Sequence, residues 1–272
     1  MFNLFYIYVH TYCDIFYSDS DCLISTLNRD RDISVKVVDC TNAVNEAIQR
    51  RSSYSEVASH ALAELMTSAL LMGAGMDEGV SLQVNIVGDS NLSNILVITD
   101  SKLNVRGTVG NPSFEFSSPS SPSSQSSPSP PATIPFPLAV ENYVGLDGRI
   151  EVTRNRSTWK SPVSGIVSLT PGSSISMNMG VYYSQSEQRT GAFISDISFD
   201  NSTDQFHGTD QFHGNSDSNS NSNSNSNSNS SSNSGSNSNS VQSQGRKLFR
   251  CKHAWGVVAE VLTNSVLYHS KS

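Results

Sequence analysis

The chain has 272 residues, with 17 Lys and Arg against 24 Asp and Glu, and a net charge of −7. Nucleic acid is excluded as the main partner, because holding a phosphate backbone takes clustered cations. Here Arg29 to Arg31, Arg50 with Arg51, and Arg246 with Lys247 are only short, solvated groups. The four cysteines, Cys13, Cys22, Cys40 and Cys251, form no C-x-C or C-x-x-C. That spacing argues against a tetrahedral zinc site and reads as reduced intracellular thiols, with nothing that requires a Cys13–Cys22 bridge.

Residues 1–20 form an N-terminal extension rich in aromatics (Phe2, Phe5, Tyr6, Tyr8, Tyr12, Phe16, Tyr17). No basic residue precedes them, and Asn3, His10, Thr11 and Asp14 interrupt the apolar run, unlike a secretory signal. The segment is also too short and polar to span a bilayer. Residues 21–116 read as a first folded block. Ile33, Val35 and Val37 alternate with Ser34, Lys36 and Val38, the period of a half-buried strand. Thr41 or Asn42 can cap a helix through Arg50, and Ser53 with Glu56 has capping-box spacing. The helix that follows carries Val57, Ala61, Leu65, Ala69 and Met72 on one face and Leu62, Met66, Leu70 and Leu71 on the others. It should be central and buried, ending at Gly73 and Gly75. Strands follow at Val80 to Ile86, Ile95 to Ile98 and Leu103 to Val109, with a turn at Gly88-Asp89-Ser90-Asn91.

Residues 117–136 are a Ser/Pro-rich insertion that cannot bury enough apolar surface to offset its ordering entropy. Residues 137–200 are a second block. Strands are expected at Ile150 to Val152, Val163 to Leu169 and Phe193 to Phe199. A helix through Ile175, Met179 and Tyr182 should reach Glu187. In residues 201–244 the hexapeptide Thr203 to Gly208 repeats at Thr209 to Gly214 and runs into a Ser/Asn tract, expected to be disordered. Residues 245–272 are an ambiguous tail. Trp255 to Leu267 reads equally as a short amphipathic helix or as an end that packs on nothing. The two blocks together predict an α+β domain whose sheet is interrupted by the Ser/Pro insertion.

One pattern suggests catalysis. Val87-Gly88-Asp89-Ser90 is similar to the nucleophile block of GDSL-type esterases, and Asp204 with His207, or Asp210 with His213, to their Asp/His block. Ser90 would attack while His207 took its proton and Asp204 oriented the ring. Against this, the Asp/His pairs open a low-complexity tract, and no Gly-x-Asn-Asp block completes an oxyanion hole. No histidine among His10, His60, His207, His213, His253 and His269 has metal-ligand spacing on an expected element, and His60 reads as a helix-face residue.

Several segments in order resemble the N-terminal domain of Hsp33, a redox-regulated holdase family. They are His60-Ala-Leu-Ala-Glu-Leu-Met-Thr-Ser-Ala-Leu-Leu-Met-Gly-Ala74, the strand Val80 to Val87 with Gly88-Asp89, Val105-Arg106-Gly107, Gly165 to Leu169, and Tyr182-Tyr-Ser-Gln-Ser-Glu-Gln188. The resemblance implies an Hsp33-like sheet with packed helices and a non-enzymatic chaperone that holds unfolded client proteins. It implies no nucleic-acid or membrane partner, and homodimers are open to it. It leaves client-binding residues unnamed and makes Arg106 and Glu187 fold-holding polar residues. The family's C-x-C and later C-x-x-C zinc ligands match none of the four cysteines, so zinc and redox gating do not carry over and no cofactor is expected. The resemblance stops near Phe199, which predicts a lost strand and an unpaired sheet edge. A cytoplasmic location is expected, with plastid or mitochondrion as the alternative. A Ser90 hydrolase and a non-functional truncated product are the competing readings.

Overall fold

In the computed structural model the described residues are 20–51, 53–116, 136–200 and 250–262. The compact unit that holds all of them runs to Asn201 and resumes at Leu248. The N-terminal extension, the body of the Ser/Pro insertion and the tandem repeat with its Ser/Asn tract lie outside the described residues, as do the sequence readings made on them.

The fold is organised around one helix. Strands β1 (Cys22–Leu27) and β2 (Ile33–Asp39) lead into α1 (Thr41–Gln49) and then α2 (Glu56–Gly73). Every residue of α2 from Val57 to Gly73 is buried. A helix apolar all round needs cover on all sides, and two sheets provide it. One is five-stranded, in the order β5-β4-β3-β6-β7, from β3 (Val80–Val87), β4 (Asn94–Asp100), β5 (Val105–Val109), β6 (Arg149–Arg156) and β7 (Val163–Ser168). The other is four-stranded, in the order β1-β2-β9-β8, with β8 (Thr190–Asp200) and β9 (Arg250–Val261). A one-turn helix α3 (Glu141–Val144) precedes β6, and α4 (Ile175–Gln185) packs between β8 and α2. Both sheets are antiparallel throughout.

The caps differ from the expected ones. Ser55, not Ser53, caps α2: its Oγ accepts the Ala58 amide at 3.1 Å. The Ser55 amide itself donates to the Pro112 carbonyl at 2.7 Å, which sets where the chain enters the helix. For α1 the free amides go to carboxylates outside the helix rather than to Thr41 or Asn42. Thr41 N–H donates to Asp39 Oδ1 at 3.1 Å, and the Asn42 and Ala43 amides donate to Asp21, each at 2.7 Å. Negative charge at a helix N-terminus also complements its dipole.

The tail is where sequence and structure part most. Residues 250–261 are neither helix nor loose end but an internal strand, pairing with β2 along one edge and β8 along the other. The edge expected to stay open after Phe199 is therefore filled, with a register shift at Ser198/Phe199. Residues 201–249 connect the two arms of a β-hairpin. β9 is locked in by contacts far apart in sequence. Asn45 clamps Cys251, donating to its carbonyl at 2.9 Å and accepting its amide at 2.8 Å. The Ala254 amide donates to Thr41 Oγ1 and its carbonyl accepts the Cys40 amide, both at 3.0 Å. Gly256 lies so close to α2 that a Cβ there would sit 2.2 Å from Thr67 Cγ2 and 3.1 Å from Leu71 Cδ1.

Two outcomes follow. Gly256→Ala should destabilise the fold by about 1–3 kcal/mol, because the buried Thr67 has nowhere to move. Replacing residues 202–248 by a short turn should stabilise it by about 2 kcal/mol, since closing a loop roughly ten times shorter costs that much less entropy. Urea unfolding followed by circular dichroism reads both.

Candidate functional site

The two faces of an antiparallel sheet are set by alternation along each strand. In the four-stranded sheet one face meets the helices: Val38, Val258, Phe193 and Glu260 on it are buried. The opposite face carries four cross-strand rows that reach β2, and beyond them the pair His253–Ser198 continues it on β9 and β8. From one end the four rows are Cys22–Asp39–Trp255–Asp196, Ile24–Val37–Val257–Ile194, Thr26–Val35–Ala259–Ala192, and Ile33–Val261–Thr190. This face is apolar and open. Ile194 is 68% exposed, Val261 37%, and Trp255 and Val257 36% each. Exposure falls towards β1, where Ile33, Val35 and Val37 are half-buried and Ile24 is buried. The apolar residues of β2 thus keep the expected alternation but point outward, while Ser34, Lys36 and Val38 point in.

The inward face explains that inversion, because it carries charge that must be paired. Glu260, 3% exposed, forms an ion pair with Arg189 at the head of β8. Arg189 donates to the Tyr183 hydroxyl at 3.0 Å and lies 5.2 Å above the centre of that ring. Lys36 donates to the Ala74 carbonyl at the end of α2 at 2.7 Å, and burial holds its pKa below the usual lysine range. Glu64, in the middle of α2, accepts the Ser176 amide at 2.9 Å and the Ser176 hydroxyl at 2.7 Å. Ser176 Oγ in turn meets Ser195 Oγ of β8 at 2.8 Å. Burial raises the Glu64 pKa, and the Ser176 amide with the hydroxyls of Ser176, Ser174 and Ser195 opposes that rise. These contacts fix the register of β8 and β9, and therefore which residues face outward.

The residues singled out by the sequence fall elsewhere. Ser90 sits in the turn after β3, its amide donating to the Val144 carbonyl at 3.3 Å and its carbonyl accepting the Ser93 amide at 2.8 Å. Asp204, His207, Asp210 and His213 lie outside the described residues. Both described histidines are engaged away from that turn. His60 stacks on Phe136 with ring centres 3.5 Å apart and abuts Phe199 at 4.7 Å, and His253 reaches Asp196 at 3.2 Å. Cys13 is outside the described residues, and Cys22, Cys40 and Cys251 form no disulfide. Burial pushes the Cys40 and Cys251 thiols up to about 12 each. Among the described residues no three His, Cys, Asp or Glu side chains gather as a metal site. Glu187 pairs with Arg154 and accepts the Tyr182 hydroxyl at 3.2 Å, so it ties α4 to β6. Arg106 is exposed on β5 beside Leu96, Ile98 and Thr108, with no salt bridge among the described residues.

The family model described as Hsp33 protein matches residues 21–209. The chain belongs to the Hsp33 family. The 33 kDa chaperonin of Desulforamulus reducens is 33% identical over 172 residues, which are 63% of this chain and 52% of that protein. The 33 kDa chaperonin of Gloeothece citriformis is 32% identical over 182 residues, 66% of this chain and 55% of the relative. The chain thus spans about half the length of the curated relatives it matches. The crystal structure of the 33 kDa chaperonin from Thermotoga maritima superposes with a TM-score of 0.55 over 88% of this chain and 60% of that one, at 18% identity, which shows a shared fold. The Hsp33 family match ends before β9, yet β9 completes the sheet that forms the open face. Sequence reasoning missed this face because its signal is spread over strands that meet only in the fold. The alternation of exposed Trp255, Val257, Ala259 and Val261 with buried Gly256, Val258 and Glu260 was the one local clue.

Burial pushes the His60 pKa down to about 4, below its unfolded value of 6.5. The unfolded chain therefore binds the proton more readily, so this contribution is complete above about pH 6.5 and is lost as pH falls towards 4. Relative to His60→Phe, the parent chain should lose about 2–3 kcal/mol between pH 7 and pH 4 in urea unfolding. Cys40 and Cys251 should resist a thiol-specific reagent at pH 7 in the folded chain and react at once in guanidinium. Peptide mapping of the labelled protein checks this.

Proposed function

We propose that this chain is a holdase chaperone that binds unfolded proteins on the open face of its four-stranded sheet, without ATP and without chemistry. The observation that carries the proposal is that face itself: Trp255, Val257, Val261 and Ile194 stand exposed side by side on paired strands in a member of the Hsp33 family. Contiguous exposed apolar surface on a folded domain marks a protein-binding site. Burying it against an unfolded segment contributes about 25 cal/mol per Å2.

The same geometry supports action in the reduced state. Cys40 and Cys251 are core thiols held protonated by burial, and of the described cysteines only Cys22, half-buried in the end row beside Asp39, lies on the open face. We place the activity in the cytoplasm, as the thiol usage suggests; among the described residues no helix is long and apolar enough to cross a membrane.

The test is light scattering of a client protein unfolding by heat, with this chain added under reducing and then oxidising conditions. Suppression of scattering is expected in both. The double variant Val257→Thr, Ile194→Thr should fold with a nearly unchanged Tm, because threonine suits an exposed strand position and the facing pair carries no like charge, yet lose much of the suppression. No suppression by the parent chain in either state, or full suppression by the double variant, would overturn the proposal.

A further inference from the structure

The open face is not uniform. Its apolar rows are bounded at one end by the row in which Trp255 lies between Asp39 on β2 and Asp196 on β8. Neighbouring strands run about 4.8 Å apart, so the backbones that carry Asp39 and Asp196 lie at about that spacing on either side of the strand that carries Trp255. Asp39 is half-buried and uses Oδ1 to accept the Thr41 amide and hydroxyl, at 3.1 and 2.7 Å, so its position is fixed. The Asp196 side chain is 82% exposed and meets His253 at 3.2 Å. None of the residues in the four rows is Lys or Arg. One end of an apolar surface thus carries an exposed aromatic ring with a carboxylate on the strand to either side; His253 is the basic side chain that reaches Asp196, and no Lys or Arg stands in the rows.

We propose that this row selects among clients. The face takes unfolded segments whose apolar run is followed by Lys or Arg. The apolar residues cover Val257, Ile194 and Val261, and the cation sits over Trp255 between Asp39 and Asp196. Two attractions act on the same group there: charge pairing with two carboxylates and the pull of the indole face on a cation. An acidic segment meets like charge at the same place. This inference rests on the holdase reading and adds a preference to it.

The experiment measures binding of three fluorescein-labelled peptides to the full chain by anisotropy. The peptides share one alternating apolar core and end in Lys-Arg, Gln-Gln or Glu-Glu. The basic peptide should bind about fivefold tighter than the neutral one at low salt, the sum of two weak exposed pairs. The acidic peptide should bind weakest. In 1 M NaCl, where the screening length is about 3 Å, the three should converge. Asp196→Asn should cut the basic preference to about half, whereas Glu78→Gln, in an exposed turn before β3, should leave it unchanged. That control separates a local site from the net charge of the chain. Equal binding of all three peptides, or an equal loss with Glu78→Gln, would overturn the selection while leaving the holdase reading standing. Failure of every peptide to bind would overturn both.

Discussion

Everything in this molecule depends on α2 having no exposed side. A helix buried from Val57 to Gly73 cannot lie on the surface of a single sheet, because a sheet covers only one of its flanks. The chain therefore needs two sheets, and α4 fills the side that they leave. Burial favours partners inside the protein for the polar residues of the helix, and three of them have such partners, whereas the Ser59 and Ser68 hydroxyls are buried without one among the described residues. Thr67 Oγ1 donates back to the Ala63 carbonyl at 2.8 Å and lies 3.3 Å from Cys40 Sγ. Glu64 takes the start of α4, and His60 takes two aromatic rings. Each of these contacts draws a different element onto the helix, so the helix sets the packing around it.

The low-complexity tracts leave that assembly intact because they enter where the chain already turns. One separates β5 from α3 and the other separates β8 from β9, and the paired strands close without reference to what lies between them. Phe136, the last residue of the first tract, and Phe199, just before the second, pack on the same histidine of α2. The borders of both tracts are thus sealed by one aromatic cluster at one end of the central helix. Because closure entropy grows only with the logarithm of loop length, long connections here cost little.

Periodicity made α2, β3, β4 and β8 legible in the sequence, since each pattern is complete within its own segment. β1 was not resolved, because Cys22 to Leu27 mixes Ser and Thr with Leu and Ile and shows no clean alternation. β9 escaped for a different reason. Its hairpin partner lies on the far side of a long tract, so no turn signal links the two. Its inner face also carries Gly256 and Glu260, which do not read as core. Gly256 is needed because Thr67 leaves no room for a side chain, and Glu260 is tolerated because Arg189 reaches it. Both reasons exist only in the fold. The candidate site was illegible for the same cause: the alternation of β2 was evident, but which set faced inward was decided by Lys36 and Glu260, residues distant in sequence.

That inversion bears on what the sheet is for. A strand selected only for stability would turn Ile33, Val35 and Val37 inward and leave Ser34 and Lys36 to water. Here Ser34 and Lys36 turn inward with Val38, Lys36 held by a bond to the end of α2 and Glu260 of β9 beside Ser34 by an ion pair, while Ile33, Val35 and Val37 face outward, half-buried. Buried ion pairs are poor sources of stability, because desolvation offsets most of their attraction. The arrangement therefore gives up hydrophobic burial without an equal return in charge pairing. What it gains is an apolar surface of fixed register, on rigid strands, that does not collapse onto the core. Stability forgone on one face in favour of an exposed apolar sheet on the other is the arrangement expected where the surface itself is the functional part.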